Sequence, residues 1–228
     1  MIRYFMKKDM QVLCQKYFRY CWAFLIVGAL LFTSDVLMDR TRFVQTCIER
    51  MLGISRNTDL ISIAMSLLNF TLISLISVGI FLDDFSFGFE NIFLRIKKKD
   101  WLLYRWILNA IFILIMKAVL YLFALLIYYV ATRQNVFQMI TPSIFFLDYL
   151  RTMTLSFLLI GIKISSQNRW WCLVSIIAFA IVLCYTVFYL YTKYFIGIIL
   201  GCLVVTLVIN IVSFHKNGNY LFEKGNLL

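Results

Sequence analysis

Lys117, Asp148 and Arg151 are ionisable residues set in stretches that are otherwise apolar. A charge in such a run is costly unless it meets a partner or water, so it marks either a structural ion pair or a path for something polar. Asp148 and Arg151 are three residues apart, which on a helix puts them on one face and within reach of each other. One reading is a structural pair that offsets the desolvation of both. The other is that Lys117 and Arg151 line a route and meet an anionic or amphipathic substrate. Catalysis has less to work with. The single histidine, His215, stands just beyond the last apolar run and reads as an interfacial residue near a helix C-terminus. No G-x-S-x-G, H-E-x-x-H or Gly-rich phosphate loop occurs, so the chain is expected not to be an enzyme by itself. The six cysteines have neither C-x-x-C nor metal-ligand spacing and read as small packing residues, with no metal expected.

A second stretch could carry chemistry of contact. Gly88–Trp106 is the longest polar interruption between two strongly apolar runs. As a short helix it sets Phe89, Ile92, Phe93 and Ile96 on one side and Glu90, Asn91, Arg95 and Lys98 on the other. The run Lys97-Lys98-Lys99 follows, then Trp101 and Trp106, aromatics of the kind found at a membrane interface. A loop that only signals topology needs the charges. It has no need of the apolar side, which a docking helix does need.

The elements that must position these residues follow from composition. Of 228 residues, 63% are hydrophobic and one is proline, and the mean hydropathy is +0.88. A soluble globule is about half apolar, so these values predict an all-α integral membrane protein. Six segments approach the roughly twenty apolar residues a span requires: Trp22–Met38, Asp59–Leu82, Trp101–Val130, Thr141–Ile164, Trp170–Tyr191 and Tyr194–Phe214. The net charge of +11 is explained by the positive-inside rule, and no nucleic-acid partner is expected. With the N-terminus inside, fourteen of the 22 Lys and Arg fall on the inner side, counting Arg105 and Lys163 at the inner ends of their spans, six on the outer, and two, Lys117 and Arg151, deep within spans. Both termini are therefore expected in the cytoplasm. Residues 1–21 read as an interfacial helix, 22–214 as one six-helix membrane domain and 215–228 as a cytoplasmic tail. No small-residue cleavage site follows the first apolar run, so that span is expected to stay as an anchor. Thr41–Leu52 has the period of an amphipathic helix capped by Thr41 and stopped at Gly53, expected to rest on the outer surface. Thr141-Pro142 is a helix start, because proline fits the first turn.

With these elements in place the chain resembles the membrane subunit, or permease, of a type-2 ABC exporter. The resemblance covers nearly the whole length in architecture: an interfacial N-terminal helix, six spans, and a cytoplasmic coupling helix between spans two and three. Its motif is Glu90, then Phe93-Leu94-Arg95, then basic residues, Trp101 and Arg105. The resemblance implies that Phe89, Glu90, Ile92, Phe93, Arg95, Ile96 and Lys98 dock an ABC ATPase dimer. That separate partner would bind ATP and Mg, since no cofactor is expected on this chain. It further implies a second permease copy or paralogue, a bacterial plasma-membrane location, and export of a peptide. The chain looks most like the short permeases that export bacteriocins or phenol-soluble modulins. It departs from many members in the link near Lys193, which is too short for re-entrant helices. The Thr41–Leu52 helix is then a candidate cap for the path. A non-transporting scaffold or a peptide-immunity protein is the alternative.

Overall fold

The computed structural model describes residues 49, 52, 60–82, 98–133, 142–165, 173–174, 176–182 and 195–224. Among these every residue except Arg133 is helical and none lies in a strand. Four long helices order the rest: α1 (Leu60–Leu82), α2 (Lys98–Thr132), α3 (Pro142–Ser165) and α4 (Phe195–Lys224). The interfacial helix, the first span and residues 88–97 lie outside the described residues. Of the expected fifth span, 173–174 and 176–182 are described, and they are helical.

Helix α2 shows why these sequences fold as they do. Trp101, Arg105, Leu108, Phe112, Met116, Leu120, Ala124 and Tyr128 recur every three or four residues and are all buried. That period keeps one face turned to the bundle from Trp101 to Tyr128. Leu103, Ile107, Ile111, Leu114, Leu122 and Leu126 stay exposed on the rest of the surface. Arg105, Asn109 and Lys117 are buried among the apolar residues while large aliphatic side chains are exposed, unlike the usual surface of a water-soluble bundle. Asp100 in the first turn complements the positive end of the helix dipole. At the other end Arg133 takes the left-handed conformation, φ 53°, and its N–H donates to Tyr129 O at 2.8 Å, closing the last turn.

Helix directions follow from pairs of contacts. Lys117 of α2 meets Asn69 of α1 and Asp148 of α3, while Asn109, two turns earlier, meets Ser156, which also bonds Ser77. Thus α1 and α3 run together and α2 runs against them. Helix α4 runs with α3, because Ile199 clusters with Leu150 at one end and Phe214 with Phe157 at the other. Segments 100–130 and 143–163, of 31 and 21 residues, are long and apolar enough to cross a membrane.

The expected boundaries of the second, third and fourth spans lie within three residues of α1, α2 and α3. Lys98 and Lys99 belong to α2 itself. Helix α4 continues ten residues past Phe214, through a polar stretch that apolarity alone would assign to a tail. Of the helix expected over Thr41–Leu52, Glu49 and Leu52 are described and helical. Leu52 is fully buried against the cluster of Leu120, Tyr121, Ala124, Tyr128, Leu150 and Ile199.

Candidate functional site

The three charges that the sequence sets within apolar stretches, Lys117, Asp148 and Arg151, come together at one level of the bundle. Arg151 donates from Nε and Nη2 to the same oxygen of Asp148, Oδ1, at 3.0 and 2.8 Å. Lys117 Nζ faces the other oxygen, Oδ2, at 2.9 Å and donates to Asn69 Oδ1 at 3.0 Å. All three charged side chains are 0–1% exposed. The Asp148–Arg151 contact is the intrahelical pair expected at i, i+3. The Lys117 contacts instead cross from α2 to α1 and α3, so one ammonium ties three helices.

Phe70 completes the site. Its ring lies under the Arg151 guanidinium, 3.6 Å from centroid to Cζ, with Lys117 Nζ at 5.1 Å. The negative face of an aromatic ring attracts both cations, an interaction worth up to about 2 kcal/mol where water is excluded. Asn69 and Phe70 are neighbours on α1, and both side chains reach the cluster because each points into the helix interface.

A neutral hydrogen-bonded knot stands two turns away. Ser156 pairs with Ser77 and accepts from Asn109 Nδ2 at 2.9 Å, while Ser77 also donates to Ser74 O at 2.9 Å. Thr152, between the two levels on α3, is buried and donates to Asp148 O at 2.8 Å. Asp148, Thr152 and Ser156 therefore make one polar stripe at i, i+4 and i+8. Asn69, Ser77, Asn109 and Ser156 were not singled out from the sequence. The available signal was an amide or hydroxyl inside an apolar span, since such groups require a bonded partner when buried.

The other expected site residues are placed differently. Phe89, Glu90, Ile92, Phe93, Arg95 and Ile96 lie outside the described residues. Lys98 is the first residue of α2. No group of three or more metal-ligating side chains occurs among the described residues. No family model, curated protein or solved structure matches the chain.

The arrangement can hold three helices in fixed register through one carboxylate. It can also exchange partners if α2 shifts, because the Lys117 contacts cross helices and the Arg151 contact does not.

Proposed function

We propose that this chain is the transmembrane permease subunit of an ATP-driven exporter of the type-2 ABC class, multi-pass in a bacterial plasma membrane with both termini cytoplasmic. Its cargo is an amphipathic peptide of the antimicrobial or toxin kind. Work is done by a separate ATPase dimer, carrying ATP and Mg, that docks on Gly88–Lys99, and a second permease copy or paralogue completes the path.

The observation that carries this reading is the continuity of α2. One unbroken helix begins at Lys98, inside the basic end of the docking stretch, and bears Lys117 nineteen residues on. At 1.5 Å per residue that is about 28 Å of rigid rod between a cytoplasmic contact and a buried ion cluster. A push on Lys98 must move Lys117 relative to Asn69 and Asp148 or be resisted by them. The inside-out character of α2 supports the membrane part of the reading, since aliphatic surface is stable facing lipid.

A second reading, a non-transporting scaffold or a peptide-immunity protein, is favoured by the complete enclosure of the cluster, which suits a permanent clamp. Affinity purification of the tagged chain separates the two. The exporter reading expects an ABC ATPase to copurify and to be lost with Phe89→Asp plus Phe93→Asp, because burying each ring is worth about 1.5–3 kcal/mol. Arg95→Glu should weaken retention less, a rim charge acting mainly on encounter and register. No ATPase with the wild-type chain would favour the scaffold.

A further inference from the structure

Three buried polar atoms around the Ser77–Asn109–Ser156 knot make no hydrogen bond to any protein atom: Ser74 Oγ, Asn109 Oδ1 and Trp106 Nε1. Ser74 and Asn109 are 0% and 1% exposed. Ser74 is one turn from Ser77 on α1, and Trp106 one turn from Asn109 on α2. The Trp106 ring packs beside Phe157, the neighbour of Ser156, at 6.1 Å between centroids. Two helices thus contribute unpartnered groups beside one knot. Buried polar groups are rarely left this way, because each forfeits its hydration without return.

The chemistry of the three atoms selects what can satisfy them. A hydroxyl can donate and accept, an amide oxygen only accepts, and an indole N–H only donates. A cation is refused by the indole and an anion by the amide oxygen. Ser74 and Trp106 lie on opposite sides of the knot, roughly 9 Å apart along the bundle, so each atom takes its own molecule, and water serves each of the three; internal waters of this kind occur about once per 27 residues. We propose that the seam between α1, α2 and α3 binds internal water at Ser74, Asn109 and Trp106. The bound water extends the polar stripe of Asp148, Thr152 and Ser156. These span eight residues of α3, about 12 Å, so the hydrated knot and the enclosed ion cluster stand at two levels of one polar stripe inside the bundle. The inference does not depend on the exporter reading.

Two measurements on the full chain test it. If Ser74 Oγ were dry, Ser74→Ala would remove an unsatisfied hydroxyl and raise the thermal midpoint or leave it unchanged. If it holds water, the midpoint should fall by about 2–4 °C. Second, Ser74→Cys in a background without native cysteines should react with methyl methanethiosulfonate: the thiolate, which forms only in water, attacks the sulfenyl sulfur and expels methanesulfinate, leaving the methyl disulfide. Asp100→Cys, at the exposed start of α2, serves as the wet control and Leu114→Cys, on the exposed apolar face, as the dry one. Modification at least tenfold faster than at position 114 is expected. Both results are required. A midpoint that does not fall, or a rate at 74 no faster than at 114, overturns the inference.

Discussion

The α1–α2–α3 contact and the α3–α4 contact join helices of the same composition in opposite ways. The first is polar through its centre: Asp148 receives Arg151 and Lys117, Asn69 receives Lys117, and Ser156 links Ser77 to Asn109. The second is close packing. Gly161 lets Asn210 lie against the α3 backbone, where Asn210 Nδ2 donates to Phe157 O at 3.0 Å. Trp101 stacks on Phe214 at 5.7 Å beside them, tying α2 to α4. In lipid the hydrophobic effect does not press helices together, so association depends on either small residues or polar bonds. This bundle uses each at a different interface. A polar seam has alternative partners and can rearrange, whereas a glycine contact has one good fit. A shift of α2 against α1 and α3 would exchange polar partners, whereas a shift of α3 against α4 would lose one fit with nothing to replace it.

The largest test breaks the polar seam. Asp148→Ala leaves the buried Lys117 and Arg151 without the carboxylate they share and should cost about 3–5 kcal/mol, since removing one partner strands the other charge. The readout is loss of the folded fraction on denaturant titration in detergent. Adding Lys117→Met should restore part of that loss, because one of the stranded charges is gone. A single mutant as stable as wild type would remove the ion cluster from the account of the fold.

Next comes the rigid contact. A Cβ at position 161 would stand 2.6 Å from Asn210 Oδ1, closer than real contacts allow. Asn210 cannot swing aside freely without giving up its bond to Phe157 O. Gly161→Ala should therefore cost about 1–3 kcal/mol, as overpacking does. Adding Asn210→Ala should lose less than the two single changes summed, which a double-mutant cycle measures. Additive losses would mean that Gly161 and Asn210 do not meet.

These two interfaces also differ in how much of them could be read from the sequence. Asp148 and Arg151 were legible as a pair because a three-residue spacing on one helix needs no tertiary knowledge. Pro142 and the apolar lengths placed α1, α2 and α3 closely for the same local reason. Lys117 was legible as a costly charge but not as the partner of Asp148, since 31 residues and a choice of helix neighbours separate them. Asn69 and Gly161 were invisible to periodicity. Each matters only through the register of one helix against another, which no single-helix pattern encodes. The overrun of α4 has a simpler cause: a helix needs backbone hydrogen bonds and not apolarity, and one interior glycine, Gly218, costs only about 1 kcal/mol.

A smaller effect is expected at the neutral knot. Ser156→Ala removes the hydroxyl that serves both Ser77 and Asn109, yet neither partner is charged. Hydrogen bonds between membrane helices average about 0.6 kcal/mol and reach roughly 1.7, so the loss should fall in that range. A loss as large as that of Asp148→Ala would show that the seam acts as one cooperative network and not as a charged site with a neutral extension.

The smallest effect belongs to the outer face of α2, and two consecutive residues isolate it. Ile113 is fully buried, packed with Ile73, Leu108, Phe112 and Met116, while Leu114 is 41% exposed. Ile113→Ala opens a cavity that the bundle cannot close and should cost about 2–5 kcal/mol. Leu114→Ala should stay within about 0.5 kcal/mol, because lipid or detergent chains flow into the space the side chain leaves. The same pair tests what covers that face. A second protein chain packed there would be as unable to fill the gap as the bundle interior, and Leu114→Ala would then approach the loss at Ile113. Unfolding titrations of both variants, in detergent and again in bilayers, read the difference. Equal losses would assign the aliphatic surface of α2 to a protein partner, and a near-zero loss at Leu114 assigns it to lipid.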